Sequence, residues 1–139
     1  MPDAPAHRFP VRVYFEDTDA GGVVYHAAYL RFAERARTEW LRDLGFSHSQ
    51  LIAREGLIFV VKRLAIEYVR PAGLDESLLV ETRLVRLGRA SLVLGQTIRR
   101  EDGTVASLEV VLACVRLATG RPEAMPEGLR GLLRAQAGV

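Results

Sequence analysis

The sequence contains a single cysteine, Cys114, in 139 residues. One cysteine cannot form an internal disulfide, and it cannot build a cysteine metal cluster. Cys114 lies in the apolar stretch Leu112–Leu117, whereas a catalytic thiol needs an accessible and positively polarised setting. We therefore predict a buried, unreactive cysteine and set aside thiol-based catalysis.

Long apolar runs and an excess of one charge sign are also missing. No window approaches the ~18 continuous apolar residues of a membrane span, and residues 1–10 lack the apolar segment of a signal peptide. We therefore expect a cytoplasmic protein without a membrane span. The net charge is only +2, and no basic run with interleaved aromatics occurs, so no nucleic-acid partner is predicted. This modest basic bias suits an anionic substrate without requiring one.

The hydrophobic content, 49% of 139 residues, is sufficient for a core and predicts one domain spanning residues 1–139. The strongest periodic pattern places apolar residues at steps of three and four from Tyr25 to Leu44. This spacing predicts an α-helix over residues 26–44, with Gly45 as its left-handed cap.

A second, shorter helix and a series of strands complete the pattern. Ser47 predicts the start of the second helix, and Gly56 predicts its end. Apolar alternation and turn signals predict strands over residues 9–15, 57–69, 76–87, 90–100 and 105–117. The last three have short connections, which predict an antiparallel meander. The segment after Pro122 is predicted to be a surface helix or tail. Because the helix and the sheet each need a cover for one apolar face, we predict an α+β fold.

The acidic loop before the long helix, residues 16–22 (EDTDAGG), carries the most chemistry. The first turn of a helix has unpaired N–H groups and a partial positive charge that can polarise a carbonyl oxygen. A carboxylate such as Asp19 would then lie beside an electrophilic pocket. The residues alone favour a plainer role, in which Asp19 supports a turn or caps the helix. The pair Asp17 and Asp19 also suits Mg²⁺, but no further acidic cluster with ligand spacing follows, so we predict no metal.

The run Val11–Tyr29 (VRVYFEDTDAGGVVYHAAY), followed by Glu34–Glu39 (ERARTE), resembles a known family. It is similar to the hotdog-fold acyl-CoA thioesterases of the 4-hydroxybenzoyl-CoA thioesterase type, and within them to the YbgC-like, Tol-Pal-associated branch. The resemblance extends to about Leu117. It implies a hotdog fold, in which an antiparallel sheet of about five strands wraps around one long central helix. It also implies a homodimer, or a homotetramer built as a dimer of dimers, with active sites at the shared interface.

The resemblance further implies that acyl-CoA thioesters are hydrolysed to free acid and coenzyme A, without a cofactor. Asp19 takes the position of the catalytic carboxylate, either as a base on water or as a nucleophile through an acyl-enzyme anhydride. The backbone N–H of His26 would point at the thioester oxygen, and its imidazole is a candidate to bind substrate or water.

Other candidate residues surround this pair. Gly22 would let the backbone approach the thioester closely, with an ordinary flexible turn as the alternative. Acyl-pocket or core positions are predicted for Val24, Tyr25 and Tyr29. Basic residues for the coenzyme A phosphates are predicted at Lys62 and Arg89, although scattered surface charge is the default explanation for both.

Three alternatives remain open at this stage. Glu34 on the long helix is a second candidate carboxylate, although pairing with Arg35 and Arg37 on a solvated face is its more ordinary role. A non-hydrolytic module that binds acyl-CoA or acyl carrier protein would share the scaffold. A hotdog dehydratase would also share it, but the His-Phe-Pro and Pro-Gly-Val type motifs expected there are missing.

Overall fold

The computed structural model describes residues 6–136, and within them it contains five β-strands and three α-helices. The strands are β1 (His7–Arg12), β2 (Leu57–Tyr68), β3 (Ser77–Leu87), β4 (Ser91–Arg100) and β5 (Gly103–Arg116). The helices are α1 (Ala28–Asp43), α2 (His48–Glu55) and α3 (Glu127–Gln136). No helix in this part of the chain has both the length and the apolarity needed to cross a membrane.

All five strands form one sheet in the order β1-β3-β4-β5-β2, and every neighbouring pair is antiparallel. Strands β3, β4 and β5 follow one another along the chain, so the predicted meander is confirmed. β1 and β2 join opposite edges of this meander. The predicted α+β class with an antiparallel sheet is therefore confirmed.

The core lies between α1 and one face of the sheet. Alternate residues of each strand point to the same side, and the inward set on β4 is fully or nearly fully buried: Leu92, Leu94, Gln96 and Ile98. The facing stripe of α1 is buried in the same cluster: Tyr29, Phe32, Ala33, Ala36, Trp40 and Leu41. These two surfaces cover each other, which is what fixes α1 on the sheet.

Local sequence signals predicted the start of α2 and the caps that follow α1 and α2. Ser47 caps α2 through its hydroxyl, which accepts a hydrogen bond from the Gln50 N–H at 3.2 Å. Gly45 and Gly56 adopt left-handed φ angles of 93° and 67°, as a C-terminal cap requires. The predicted surface helix or tail near the C-terminus is the amphipathic helix α3, whose Leu129 and Leu133 are fully buried in the core.

Two expectations around residues 14–28 were wrong in detail. The first strand ends at Arg12 rather than at residue 15, and Phe15–Asp17 form a single 3-10 turn. The turn forms instead of a longer strand because the Asp17 side chain accepts a hydrogen bond from the Tyr14 N–H, and this local bond competes with strand pairing. Tyr25 was expected on the buried helical stripe but is 44% exposed, because α1 begins only at Ala28.

Strand β2 forms one edge of the sheet. Within residues 6–136 it pairs only with β5, so one of its two hydrogen-bonding edges has no strand beside it. A bulge interrupts the pairing between Val61 and Arg63. Val60 and Val61 are 37% and 48% exposed on this edge strand, and such an edge favours pairing with another chain.

Candidate active site

The acidic loop folds into a small hairpin whose second arm leads into α1. The N–H of Asp19 donates to the carbonyl of Val23 at 2.9 Å, and the N–H of Gly22 donates back to the Asp19 carbonyl at 3.0 Å. At the base, the Tyr25 N–H donates to the Asp17 carbonyl at 2.8 Å. Gly22 adopts φ 83°, a left-handed conformation that disfavours any side chain there. The hairpin therefore holds Asp19 in its turn, close in sequence to the opening of the helix.

The Asp19 side chain is held but not enclosed. Its Oδ1 atom accepts a hydrogen bond from the Gly21 N–H at 2.8 Å, and the residue is exposed. Within the described chain, no donor bonds the other carboxylate oxygen. A Cβ at Gly21 would lie 3.2 Å from Oδ1, so glycine at this position leaves room for the carboxylate. Asp19 thus presents one free oxygen in a fixed orientation.

Asp17 occupies a different environment only two residues away. It is 4% exposed, and its Oδ2 atom accepts a hydrogen bond from the Tyr14 N–H at 2.8 Å. This bond closes the 3-10 turn that begins the hairpin. Asp17 is therefore engaged in the local backbone, whereas Asp19 is accessible.

The hairpin is pinned from the side by the connection between β2 and β3. The Val24 N–H donates to the Ala72 carbonyl at 2.8 Å, and Val23 forms an antiparallel bridge with Gly73. The Ala72 N–H in turn donates to the Tyr29 hydroxyl at 3.2 Å. Tyr29 is 3% exposed, and burial raises the pKa of its phenol. Tyr29 thus fixes the hairpin to α1 from inside the core.

A charged network holds the connection between β2 and β3. Glu76 accepts hydrogen bonds from the Gly73 N–H at 3.0 Å and from Arg100 at 2.6 Å, and both lower the pKa of its carboxyl. Arg100 also pairs with Asp102 at 2.7 Å, which lowers the pKa of Asp102 to about 2. We did not predict this network, because its members are separated along the chain by turns and strands and share no motif.

The opening of α1 has an unusual set of contacts. Ala27 is the N-cap residue and provides no side-chain cap. In the part of the chain that the structure describes, no acceptor bonds the backbone N–H groups of His26 and Ala27. The carbonyl of His26 instead accepts a 2.8 Å hydrogen bond from the Tyr68 hydroxyl. The exposed His26 ring lies against Tyr25, with centroids 4.3 Å apart. Two backbone N–H groups where the helix begins therefore have no acceptor among the described residues.

A cavity of about 430 Å³ lies between the C-terminal half of α1 and the strands. Its lining includes Glu34, Arg37, Thr38, His48, Phe59 and Val61. Arg37 was expected to pair with Glu34, but its Nη1 donates to the side-chain Oε1 of Gln96 at 3.0 Å. Gln96 is 1% exposed, and its side-chain Nε2 donates to the Ala33 carbonyl and to the Thr82 hydroxyl. Burial lowers the pKa of Arg37. This wall of the cavity therefore holds a partly buried positive charge, whose removal from water costs free energy.

The predicted phosphate-binding residues do not gather around Asp19 within one chain. Lys62 lies exposed at the bulge of β2, and Arg89 lies exposed in the turn between β3 and β4. The hairpin approaches the opposite end of β3, where Glu76 and Val13 meet. Neither cation forms an ion pair within residues 6–136.

The remaining titratable candidates have plain structural settings. Cys114 is 1% exposed, and burial raises its pKa to about 11, as expected for a core thiol. His7 lies 2.8 Å from Asp43 at the surface. Among the described residues, no three His, Cys, Asp or Glu side chains converge as metal ligands would.

Comparison with known proteins gives a consistent result. The model of the thioesterase-like superfamily matches residues 13–133. The acyl-CoA thioesterase YbgC of Haemophilus influenzae is 48% identical over 122 residues, which cover 88% of this chain and 90% of that protein. The acyl-CoA thioester hydrolase YbgC of Escherichia coli O6:H1 is 46% identical over 88% of this chain and 91% of its own length. A probable thioesterase from Bartonella henselae superposes with a TM-score of 0.82 at 40% identity, covering 87% of this chain and 99% of that structure.

Proposed function

Because this chain belongs to the thioesterase-like superfamily and is an acyl-CoA thioesterase, we propose that Asp19 and the opening of α1 carry out the hydrolysis. The observation that carries the proposal is the pairing of one accessible, oriented carboxylate with unbonded N–H groups at the end of the same hairpin. Thioester hydrolysis needs these two elements, a group that delivers the nucleophile and a group that stabilises the developing oxyanion.

Two routes through Asp19 are chemically balanced. As a base, its carboxylate takes a proton from water while the water oxygen attacks the thioester carbon; the C–S bond of the tetrahedral intermediate then breaks, and the proton passes from the carboxyl to the leaving sulfur. As a nucleophile, its carboxylate oxygen attacks that carbon, the C–S bond breaks, and water then hydrolyses the resulting anhydride. Both routes release coenzyme A as a thiol and the acyl group as a carboxylic acid. The free oxygen of Asp19 supports either one.

The carbonyl oxygen of the thioester becomes negative as the tetrahedral intermediate forms. We place it against the N–H groups of His26 and Ala27, where the positive end of the α1 dipole adds to the stabilisation. Removing one such donor in other enzymes costs about 10²–10³-fold in turnover. His26 is therefore assigned mainly through its backbone, and its imidazole lies exposed beside it.

The proposed reaction requires no metal. Asp17 already accepts the Tyr14 N–H, and one oxygen of Asp19 accepts the Gly21 N–H. The two carboxylates therefore bond different backbone N–H groups and do not converge on one ion. The helix opening supplies the polarisation that a Lewis acid would otherwise provide.

A second copy of the chain is proposed to complete the site. The exposed apolar positions of β2 and its unpaired edge support antiparallel pairing with β2 of another copy. Tyr68 is the last residue of β2 and contacts His26, so such pairing would bring the partner's edge strand next to the opening of α1. We propose a homodimer as the minimal unit, with a homotetramer as a dimer of dimers.

The decisive test is the substitution Asp19→Asn. We expect turnover of a panel of short, long and aromatic acyl-CoAs to fall by about 10²–10⁴-fold, while the melting temperature changes little because the residue is exposed. Release of coenzyme A is measured with a thiol reagent, and the buried Cys114 adds little background in the folded protein. Glu16→Gln is the matched control, since Glu16 is an exposed acid in the same segment.

The outcome separates hydrolysis by Asp19 from its alternatives. Equal activity of Asp19→Asn and wild type would remove Asp19 from the mechanism. Absence of thiol release from the wild-type protein on every substrate, together with retained acyl-CoA binding, would leave only a binding module.

A further inference from the structure

Tyr68 makes a contact that the proposed mechanism does not yet use. It is the last residue of β2, and its hydroxyl reaches the carbonyl of His26, 42 residues earlier in the chain, at 2.8 Å. Its ring packs edge-on against the buried ring of Tyr29, with centroids 5.6 Å apart and an interplanar angle of 64°. Because Tyr29 is anchored in the core, the Tyr68 hydroxyl has a defined position.

The opening of α1 has no side-chain cap, so the Tyr68 hydroxyl is the group that restrains it. Most helices begin with Ser, Thr, Asp or Asn, whose side chain bonds an N–H of the first turn. Here the cap position is Ala27, which has no such group. A conventional cap at this position would fix the helix opening from the donor side, by accepting the N–H of Tyr29 or Leu30. Tyr68 fixes it from the acceptor side and does not use the N–H groups of His26 and Ala27, which bond no acceptor among the described residues.

The geometry of the peptide bond transmits this restraint. The carbonyl of His26 and the N–H of Ala27 belong to one planar trans unit and point in opposite directions. A hydrogen bond that holds the carbonyl therefore also sets the direction of the Ala27 N–H. Accepting a hydrogen bond at the oxygen additionally polarises the unit and strengthens its donor.

We propose that Tyr68 is a positioning residue that orients the Ala27 N–H at the opening of α1 toward the thioester oxygen. The inference rests on the proposed function, since it assigns that donor the same role. The hydroxyl of Tyr29 is already bonded to Ala72, and those of Tyr14 and Tyr25 have no partner among the described residues. Tyr68 is thus the tyrosine whose hydroxyl acts on the helix opening.

The kinetic test uses Tyr68→Phe, which removes the hydroxyl and keeps the ring. We expect kcat to fall by about 5- to 50-fold, less than the loss of an oxyanion donor itself, while KM changes by less than about twofold. Tyr14→Phe is the matched control, because Tyr14 is 61% exposed and its hydroxyl is unbonded within residues 6–136. That control should retain wild-type kcat and KM.

A binding test separates positioning from general support of the fold. Two non-hydrolysable ligands differ only at the reacting centre: a ketone in which CH₂ replaces the sulfur, and an S-alkyl-CoA thioether that lacks the carbonyl oxygen. Tyr68→Phe should weaken the ketone by about fivefold or more and leave the Kd of the thioether unchanged. A purely structural role would weaken both ligands alike.

Each outcome decides the question. Equal loss of both ligands, wild-type kinetics, or failure of Tyr68→Phe to fold would overturn the inference, since the last result would assign the hydroxyl to stability. If Asp19→Asn abolishes turnover while Tyr68→Phe behaves like Tyr14→Phe, the inference alone fails. If Asp19→Asn remains fully active, the proposed function fails first.

Discussion

The hairpin that carries Asp19 and the core between α1 and the sheet are stabilised by different interactions. In the core, apolar side chains such as Phe32, Leu94 and Val110 are completely buried. In the hairpin, Asp19 and its two following glycines are exposed, and order comes from hydrogen bonds to the backbone. Burial supplies most of the stability of a protein, whereas oriented polar groups supply its chemistry. Substitutions in the two regions should therefore separate stability from turnover.

The largest stability effect is expected in the core. Leu94→Ala removes a fully buried side chain from β4 and should lower the free energy of unfolding by about 2–5 kcal/mol. Turnover per folded molecule should stay close to wild type, because Leu94 lies within the sheet, opposite Leu84 on β3 and Val110 on β5. Urea unfolding and initial rates at 20 °C measure the two quantities.

The control for this change is Leu132→Ala on α3. Leu132 is 44% exposed, so the same truncation should cost far less, within about 1 kcal/mol. A Leu94→Ala protein of normal stability but low turnover would contradict the separation of the two regions.

An intermediate effect is expected at low pH, which protonates the carboxyls of the network around Arg100. Glu76 and Asp102 have pKa values below their ordinary values of 4.5 and 3.8. Each therefore contributes stability that is present above its unfolded pKa and is lost as pH falls through its folded pKa. We expect thermal stability to decline from about pH 4.5 toward pH 2, because both carboxyls lose their charge.

Arg100→Gln should remove part of that decline, since Arg100 is the shared partner of both acids. Melting curves at pH 7, 4 and 2.5 give the comparison. Arg99→Gln is the control, as Arg99 pairs with Glu81 outside the network. An unchanged pH dependence in Arg100→Gln would show that other carboxyls control acid unfolding.

The smallest effect sharpens the contrast inside the hairpin itself. Asp17→Asn makes the same chemical change as Asp19→Asn two residues away. The amide oxygen of asparagine can still accept the Tyr14 N–H, so we expect a stability loss below about 1 kcal/mol and turnover within about threefold of wild type. Parallel rate and melting measurements on both variants test this. A turnover loss in Asp17→Asn as large as in Asp19→Asn would shift the reactive role to the buried acid.

Much of the fold was predictable because its signals are local. The cap at Ser47 and the left-handed positions Gly45 and Gly56 depend on residues within one turn of each other. The strand order of the meander follows from short connections. The sequence also indicated the loop around Asp19, since adjacent acids and glycines before a helix form a compact pattern.

The errors have long-range or competing causes. Tyr25 has the spacing of a helical residue, but its N–H bonds the Asp17 carbonyl and keeps it in the hairpin. Arg37 has Glu34 one turn away, yet it bonds Gln96 on the sheet. In the first case a hydrogen bond within the hairpin, and in the second a tertiary partner, outweighs the helical pattern, and no sequence rule identifies either partner in advance.

The sequence by itself determined the elements, the meander and the placement of an acid at the opening of the long helix, because each depends on neighbours within a few residues. Only the tertiary structure decided that Asp17 is buried while Asp19 is accessible, and that Tyr68 and Ala72 hold the helix opening and the hairpin. These contacts join residues about 40 or more positions apart. They form only when the packing of α1 on the sheet brings the end of β2 to the opening of the helix.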